Sequence, residues 1–274
     1  MTTRTHTSGS ANWLLIPLVA LVALSLFATS ANAAILYTDF DSLSTGAVTA
    51  ANLNSVTTGG TWALSSDTNI THTIVDDGGD KAFLSDHANN VAAGFLVTAT
   101  LTLDSPIDTS ALTSGDLRIS FDTHPEATTS FHRYAYWRFL DASDTLLFEA
   151  FAYDNGQLRF KAGTGAYQTL GTENDWQGNA NFTWDADHAR VAQFEFTVNN
   201  TGSVTFDENN NGWSKSGTFD PTDDIAKIQF AIDPGTPYGQ GIFLNDITIV
   251  PEPASVALLL SGVMGLFVVG RRRR

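Results

Sequence analysis

Asp207, Asn209 and Asn211, followed by Gly212, place three side-chain oxygens at alternate positions ahead of a glycine. That spacing suits calcium, because alternate oxygens converge on one hard cation while glycine permits the sharp turn. The second half of a calcium loop does not follow: the twelfth position is Thr218 where a bidentate glutamate would stand, and Asp220 comes two residues late. An Asx-rich turn that satisfies its own backbone accounts for the same residues. Asp76, Asp77 and Asp80 around Gly78 and Gly79 read as a hairpin turn.

Saccharide recognition needs aromatic platforms beside polar groups, because a sugar ring offers an apolar face ringed by hydroxyls. Trp176 and Trp184 sit in a polar stretch, 171–188, that has no strand pattern. Trp213 follows the Asn-rich segment, and Tyr238 lies in a Pro- and Gly-rich segment before the last strand. Tyr134, Tyr136 and Arg138 share one face of a strand by parity. Taken singly, each tryptophan is better explained by core packing. Together Trp176, Trp184, Trp213 and Tyr238 form a candidate carbohydrate surface.

Catalysis finds less support. Glycosidases need two facing carboxylates, and the candidates are Glu149, Glu173, Asp175, Asp185 and Asp187. Gly178 interrupts the first alternation, and Asp185 and Asp187 fall in a polar loop beside His188. Neither a Gly-x-Ser-x-Gly elbow nor a phosphate-cradling glycine loop is present. The expectation is a non-catalytic domain, with a glycoside hydrolase-like jelly roll or a ligand-free structural coat protein as alternatives.

The bulk properties agree. The chain has no cysteine, which removes thiolate zinc sites, cysteine nucleophiles and disulfides at once. Net charge is −15. Setting aside residues 1–33 and 250–274 leaves nine basic against 28 acidic residues. So acidic a surface repels nucleic acid and favours divalent cations.

The elements that must position these groups are short strands. Leu117, Ile119 and Phe121 alternate with Arg118, Ser120 and Asp122. Ala192, Phe194, Phe196 and Val198 alternate with Gln193, Glu195 and Thr197, and Ala226, Ile228, Phe230 and Ile232 repeat the pattern. Period-two alternation predicts strands with one buried and one wet face. Further strands are expected at 35–40, 61–64, 70–75, 81–85, 94–103, 131–140, 145–153, 157–161 and 241–249. Turn chemistry separates them, most clearly at Asp154-Asn155-Gly156. The parity slip between Ile242/Leu244 and Ile247/Ile249 predicts a bulge near Asn245 and Asp246. The fold class is therefore all-β: a two-sheet antiparallel jelly-roll sandwich over 34–249. Its opening Tyr37-Thr38-Asp39-Phe40-Asp41 and closing Leu244-Asn245-Asp246-Ile247 resemble concanavalin-like and laminin-G-like jelly rolls, in which first and last strands pair.

Two terminal segments frame the sandwich. Arg4, an apolar run from Trp13 to Ala28 and an Ala31-Asn32-Ala33 cleavage site read as a signal peptide, 1–33. At the other end come Pro251, Glu252 and Pro253, an uncharged run 254–270, then Arg271, Arg272, Arg273 and Arg274. As a helix the run rises about 25 Å, barely enough for a transmembrane span, and the arginines fix its end in the cytoplasm. Hinge, span and arginine cluster in this order resemble the PEP-CTERM sorting signal of Gram-negative bacteria. That resemblance implies a membrane partner, an exosortase-like processing enzyme, and export across the inner membrane. It implies transient anchoring there, then release to the cell surface or extracellular matrix, where exopolysaccharide is the expected associate.

Overall fold

The computed structural model describes residues 34–77, 80–87, 94–112, 116–127, 135–152, 157–171, 192–209, 212–233 and 240–251. The expected signal peptide, Glu252, Pro253, the run 254–270 and the four terminal arginines lie outside them. Among the described residues no helix is long and apolar enough to cross a membrane.

In chain order the first strands are β1 (Leu36–Thr38), β2 (Gly46–Ala47), β3 (Thr57–Thr58), β4 (Gly60–Leu64), β5 (Ile70–Asp77), β6 (Asp80–His87), β7 (Leu96–Ile107), β8 (Leu117–Ala127) and β9 (Ala135–Leu140). They continue with β10 (Leu146–Ala152), β11 (Leu158–Ala162), β12 (Gln168–Gly171), β13 (Ala192–Val198), β14 (Ser203–Glu208), β15 (Trp213–Thr218), β16 (Ile225–Ile232) and β17 (Gln240–Pro251). A single-turn helix, α1 (Ala50–Ser55), starts at Thr49, whose side chain and that of Asn52 cap each other's backbone amides.

Two antiparallel sheets make a β-sandwich. One runs β15-β14-β13-β8-β17-β6-β5-β2, with β1 and β3 continuing from β17, and the other runs β12-β11-β10-β9-β16-β7-β4. First and last strands pair, Leu36 opposite Ile249 and Thr38 opposite Ile247. The alternation places Ile119, Phe121, Phe194, Phe196 and Phe206 inward from the larger sheet, against Trp137, Phe139, Phe148, Phe160 and Phe230 from the smaller. Rings from opposite sheets touch: Phe139 lies 4.7 Å from Phe196 and Trp137 lies 4.9 Å edge-on from Phe194. This aromatic interior supplies the stability that a chain without disulfides must draw from burial.

The expected bulge is present. From Asn245 to Thr248 β17 advances three residues while β8 advances two, Asp122 to Ser120, and Asp246 takes a left-handed φ of 38°. Strands outside the sequence reading are β2, β3, β12, β14 and β15. β7 also runs four residues past its expected end, to Ile107. Trp213–Thr218 alternates Trp and Lys with Ser and Thr, a pattern too polar to stand out as a strand.

Candidate functional site

The outer face of the seven-stranded sheet gathers polar and aromatic groups on one patch. Parity turns Tyr136 and Arg138 of β9 outward because Trp137 and Phe139 fill the core. Opposite them in register stand Phe151 and Glu149 of β10, and on the other side Ala231 and Gln229 of β16.

Arg138 is the hub. Its Nη1 donates to Gln229 Oε1 at 2.8 Å, and its Nε lies 3.3 Å from Glu149 Oε2, an ion pair without hydrogen-bond alignment. The guanidinium carbon sits 5.1 Å over the Phe95 ring. Glu149 is only 3 % exposed, although it occupies an outward position. The Tyr167 hydroxyl donates to its other oxygen, Oε1. Burial first, then the Glu149 carboxylate, hold the Tyr167 phenol well above its usual range, so it stays a donor at neutral pH. These polar groups adjoin a ring cluster: Tyr136 stacks on Phe151 at 4.4 Å, with Phe95 edge-on to Tyr136 at 5.2 Å and Tyr167 5.6 Å from Phe151. Phe95 and Tyr167 are 46 % and 44 % exposed, unlike the core phenylalanines.

The same face holds basic residues as well as the acids Glu149 and Asp144. Arg138, Arg159, Lys161 and Lys227 all project outward from β9, β11 and β16, four of nine basic residues on one surface. Lys161 lies 5.3 Å over the Tyr167 ring, and Lys227 pairs with Asp144 at 2.7 Å.

Of the other residues singled out from sequence, Trp213 and Asp207 lie on β15 and β14. Trp176, Trp184 and Tyr238 lie outside the described residues, as do Glu173, Asp175, Asp185 and Asp187. Trp213 opens β15 and packs partly buried against the core, over Gly171 of β12, where a Cβ would come within 2.4 Å of its ring. It joins the edges of the two sheets and stands apart from the aromatic patch. Asp207 is a residue of β14, in register with Glu195 and Ser214. The Asn209 amide reaches toward Glu195 Oε2 at 3.4 Å, and Asn211 lies outside the described residues. Among the described residues no three His, Asp or Glu side chains alone form a metal-holding group. Glu149, the described member of the glycosidase candidates, has Arg138 and Lys161 as its register neighbours.

Sequence parity identified Tyr136 and Arg138 but missed Phe95, Phe151 and Tyr167. A charge inside the apolar run Leu146–Ala152 is the local signal for Glu149. Tyr167 precedes a four-residue strand and carries no such signal.

No protein-family model and no curated protein matches the chain. Solved structures share its fold. A sialidase superposes with a TM-score of 0.52 at 13 % identity, covering 79 % of this chain and 18 % of that one. The conserved carbohydrate esterase of the Shiga toxin-encoding bacteriophage phi24B superposes at 0.50 and 16 % identity, covering 81 % and 99 %. The chain thus spans under a fifth of the sialidase, and what is common to all three is the β-sandwich.

Proposed function

We propose that this chain is an exported, non-catalytic surface or extracellular-matrix protein that binds exopolysaccharide on the outer face of the seven-stranded sheet of a jelly roll. The observation that carries this reading is the adjacency of Arg138, Glu149 and Gln229 to the exposed rings of Phe95 and Tyr167. Rings offer a platform for the apolar face of a sugar, and Arg138, held in place by the buried Glu149, presents donors for its hydroxyls. Arg159 and Lys161 on β11, beside the Arg138–Glu149 pair and the Tyr167 ring, direct the test toward acidic saccharides, such as uronic-acid polymers, ahead of neutral ones. Two of the similar solved structures, the sialidase and the carbohydrate esterase, carry names from carbohydrate chemistry, a reason to test glycans first.

Delivery follows from the terminal segments. Residues 1–33 direct export, and Pro251-Glu252-Pro253 with the run 254–270 and Arg271 to Arg274 hold the domain at the inner membrane until an exosortase-like enzyme releases it. Mass spectrometry of the secreted protein should find Ala34 at its N-terminus and no arginine cluster at its C-terminus.

The binding test is a glycan array probed with the full chain in detergent, followed by affinity electrophoresis through neutral and uronic-acid polysaccharides. Retention is expected in the acidic gels. Phe95→Ala and Tyr167→Ala should each weaken it roughly three- to tenfold, the worth of one aromatic contact. Absence of retention on every polysaccharide, or retention indifferent to both substitutions, overturns the assignment of this face.

A further inference from the structure

On the opposite, ten-stranded sheet, carboxylates from four separate parts of the sequence lie in one neighbourhood around Asn245. Asp39 and Asp41 follow β1, Asp80 opens β6, Asp122 lies in β8, and Asp246 occupies the β17 bulge. The contact is close. The Lys81 amide is shared by Asp41 Oδ1 at 2.9 Å and Asp80 Oδ1 at 3.1 Å, so two carboxylates crowd one N–H. Asp39 Oδ1 in turn accepts the Asp41 amide at 2.8 Å. The Lys81 ammonium turns to the main-chain carbonyls of Asp41 and Leu43.

Asn245 stands in the middle. It is 5 % exposed and lies in register with Asp122. Its Nδ2 donates to Asp80 Oδ2 at 2.6 Å, while its Oδ1 is buried with no hydrogen-bond partner. A buried amide oxygen without a donor is costly and needs a reason. The surrounding carboxylates are oxygens too, and none of them can supply a proton in its ionised form.

We propose that Asp80, Asn245 and Asp41, with Asp39, Asp122 and Asp246 around them, form a calcium site that joins the first and last strands of the domain. Calcium accepts six to eight oxygens drawn from carboxylates, side-chain amides and main-chain carbonyls, so a site here does not need three converging carboxylates. An all-oxygen set excludes the nitrogen- and sulfur-seeking metals. A cation removes two defects at once: it takes the amide oxygen of Asn245 as a ligand and neutralises the crowded acids. The site is separate from the Asp207, Asn209 and Asn211 segment, and the two are distinguishable by substitution.

The test uses the full chain in detergent, stripped with chelator and then titrated with calcium by calorimetry, with thermal melting in parallel. Saturation with calcium at about 100 times its dissociation constant should raise the midpoint by roughly 5–10 °C. Asp80→Asn and Asp246→Asn should abolish the calorimetric signal, and Asp207→Asn should keep it. Asp246→Asn removes a repelled charge, so its calcium-free form should melt no lower than the parent, which separates lost binding from lost folding. An unchanged midpoint with calcium overturns the proposal. So does calcium binding that survives Asp246→Asn and Asp80→Asn but fails in Asp207→Asn.

Discussion

Trp137 Nε1 donates to Thr123 Oγ1 at 2.8 Å across the centre of the sandwich, and that hydroxyl donates onward to the Phe243 carbonyl at 2.6 Å. The chain of donors links β9 to β8 and β17, one sheet to the other, with both side chains fully buried. Thr123→Val keeps the shape but orphans the indole N–H, and should cost about 1–3 kcal/mol in denaturant unfolding. In a Trp137→Phe background the same substitution should cost less, because no indole donor is left to orphan.

Arg138 should resist replacement by lysine. Its planar fork serves Gln229, Glu149 and the Phe95 face together, and an ammonium cannot meet all three. Arg138→Lys is expected to lower stability by about 1–2 kcal/mol and to weaken polysaccharide retention. Glycan affinity and chemical denaturation on the same preparation check both effects.

Gly171 and Trp213 form a tight edge contact, with 2.4 Å between an added Cβ and the indole ring. Gly171→Ala should destabilise by about 1–3 kcal/mol through overpacking. Retention on polysaccharide should survive in the folded fraction, since Trp213 lies away from the aromatic patch. Loss of retention with unaltered stability would contradict that placement.

Mild acid should stabilise the calcium-free protein. Asp246 and Asp86 titrate in the fold near about 6, each raised first by burial, against an ordinary value of 3.8. Between those values the folded state holds more protons than the unfolded one, so stability rises as pH falls from 7 toward 5. His72 opposes this. Burial lowers it below 6.5, so it prefers to remain neutral, and its contribution, present above 6.5, is lost as pH falls below that toward its lowered folded value. Two carboxylates outweigh one histidine, and melting in chelator across pH 5–7 should show a higher midpoint at the acid end. Asp246→Asn should flatten that slope.

The sheets were legible because the strands obey parity: Phe194 and Phe196 point inward, as their alternation with Gln193, Glu195 and Thr197 requires. The β17 bulge was equally legible, since Ile242 and Ile247 cannot both face the core without an extra residue. The aromatic patch was half visible. Tyr136 and Arg138 declare their face within one strand, whereas Phe95 and Tyr167 reach the site only through pairing and loop geometry, which no local pattern records. The Asn245 cluster was hidden for the same reason. Its acids are separated by as many as 207 positions in sequence, and only strand order brings Asp39 near Asp246.

β17 is flanked by β8 along most of its length, by β6 near its start and by β1 near its end. Its last residue, Pro251, is still in register with Leu117. Ladder hydrogen bonds lie perpendicular to the strands, so a pull along β17 from that end loads many of them in parallel. They resist by shear, failing together, where a hairpin at an edge would unzip bond by bond. A tether drawn from Pro251 therefore meets this fold at a mechanically stiff interior strand, held on both sides.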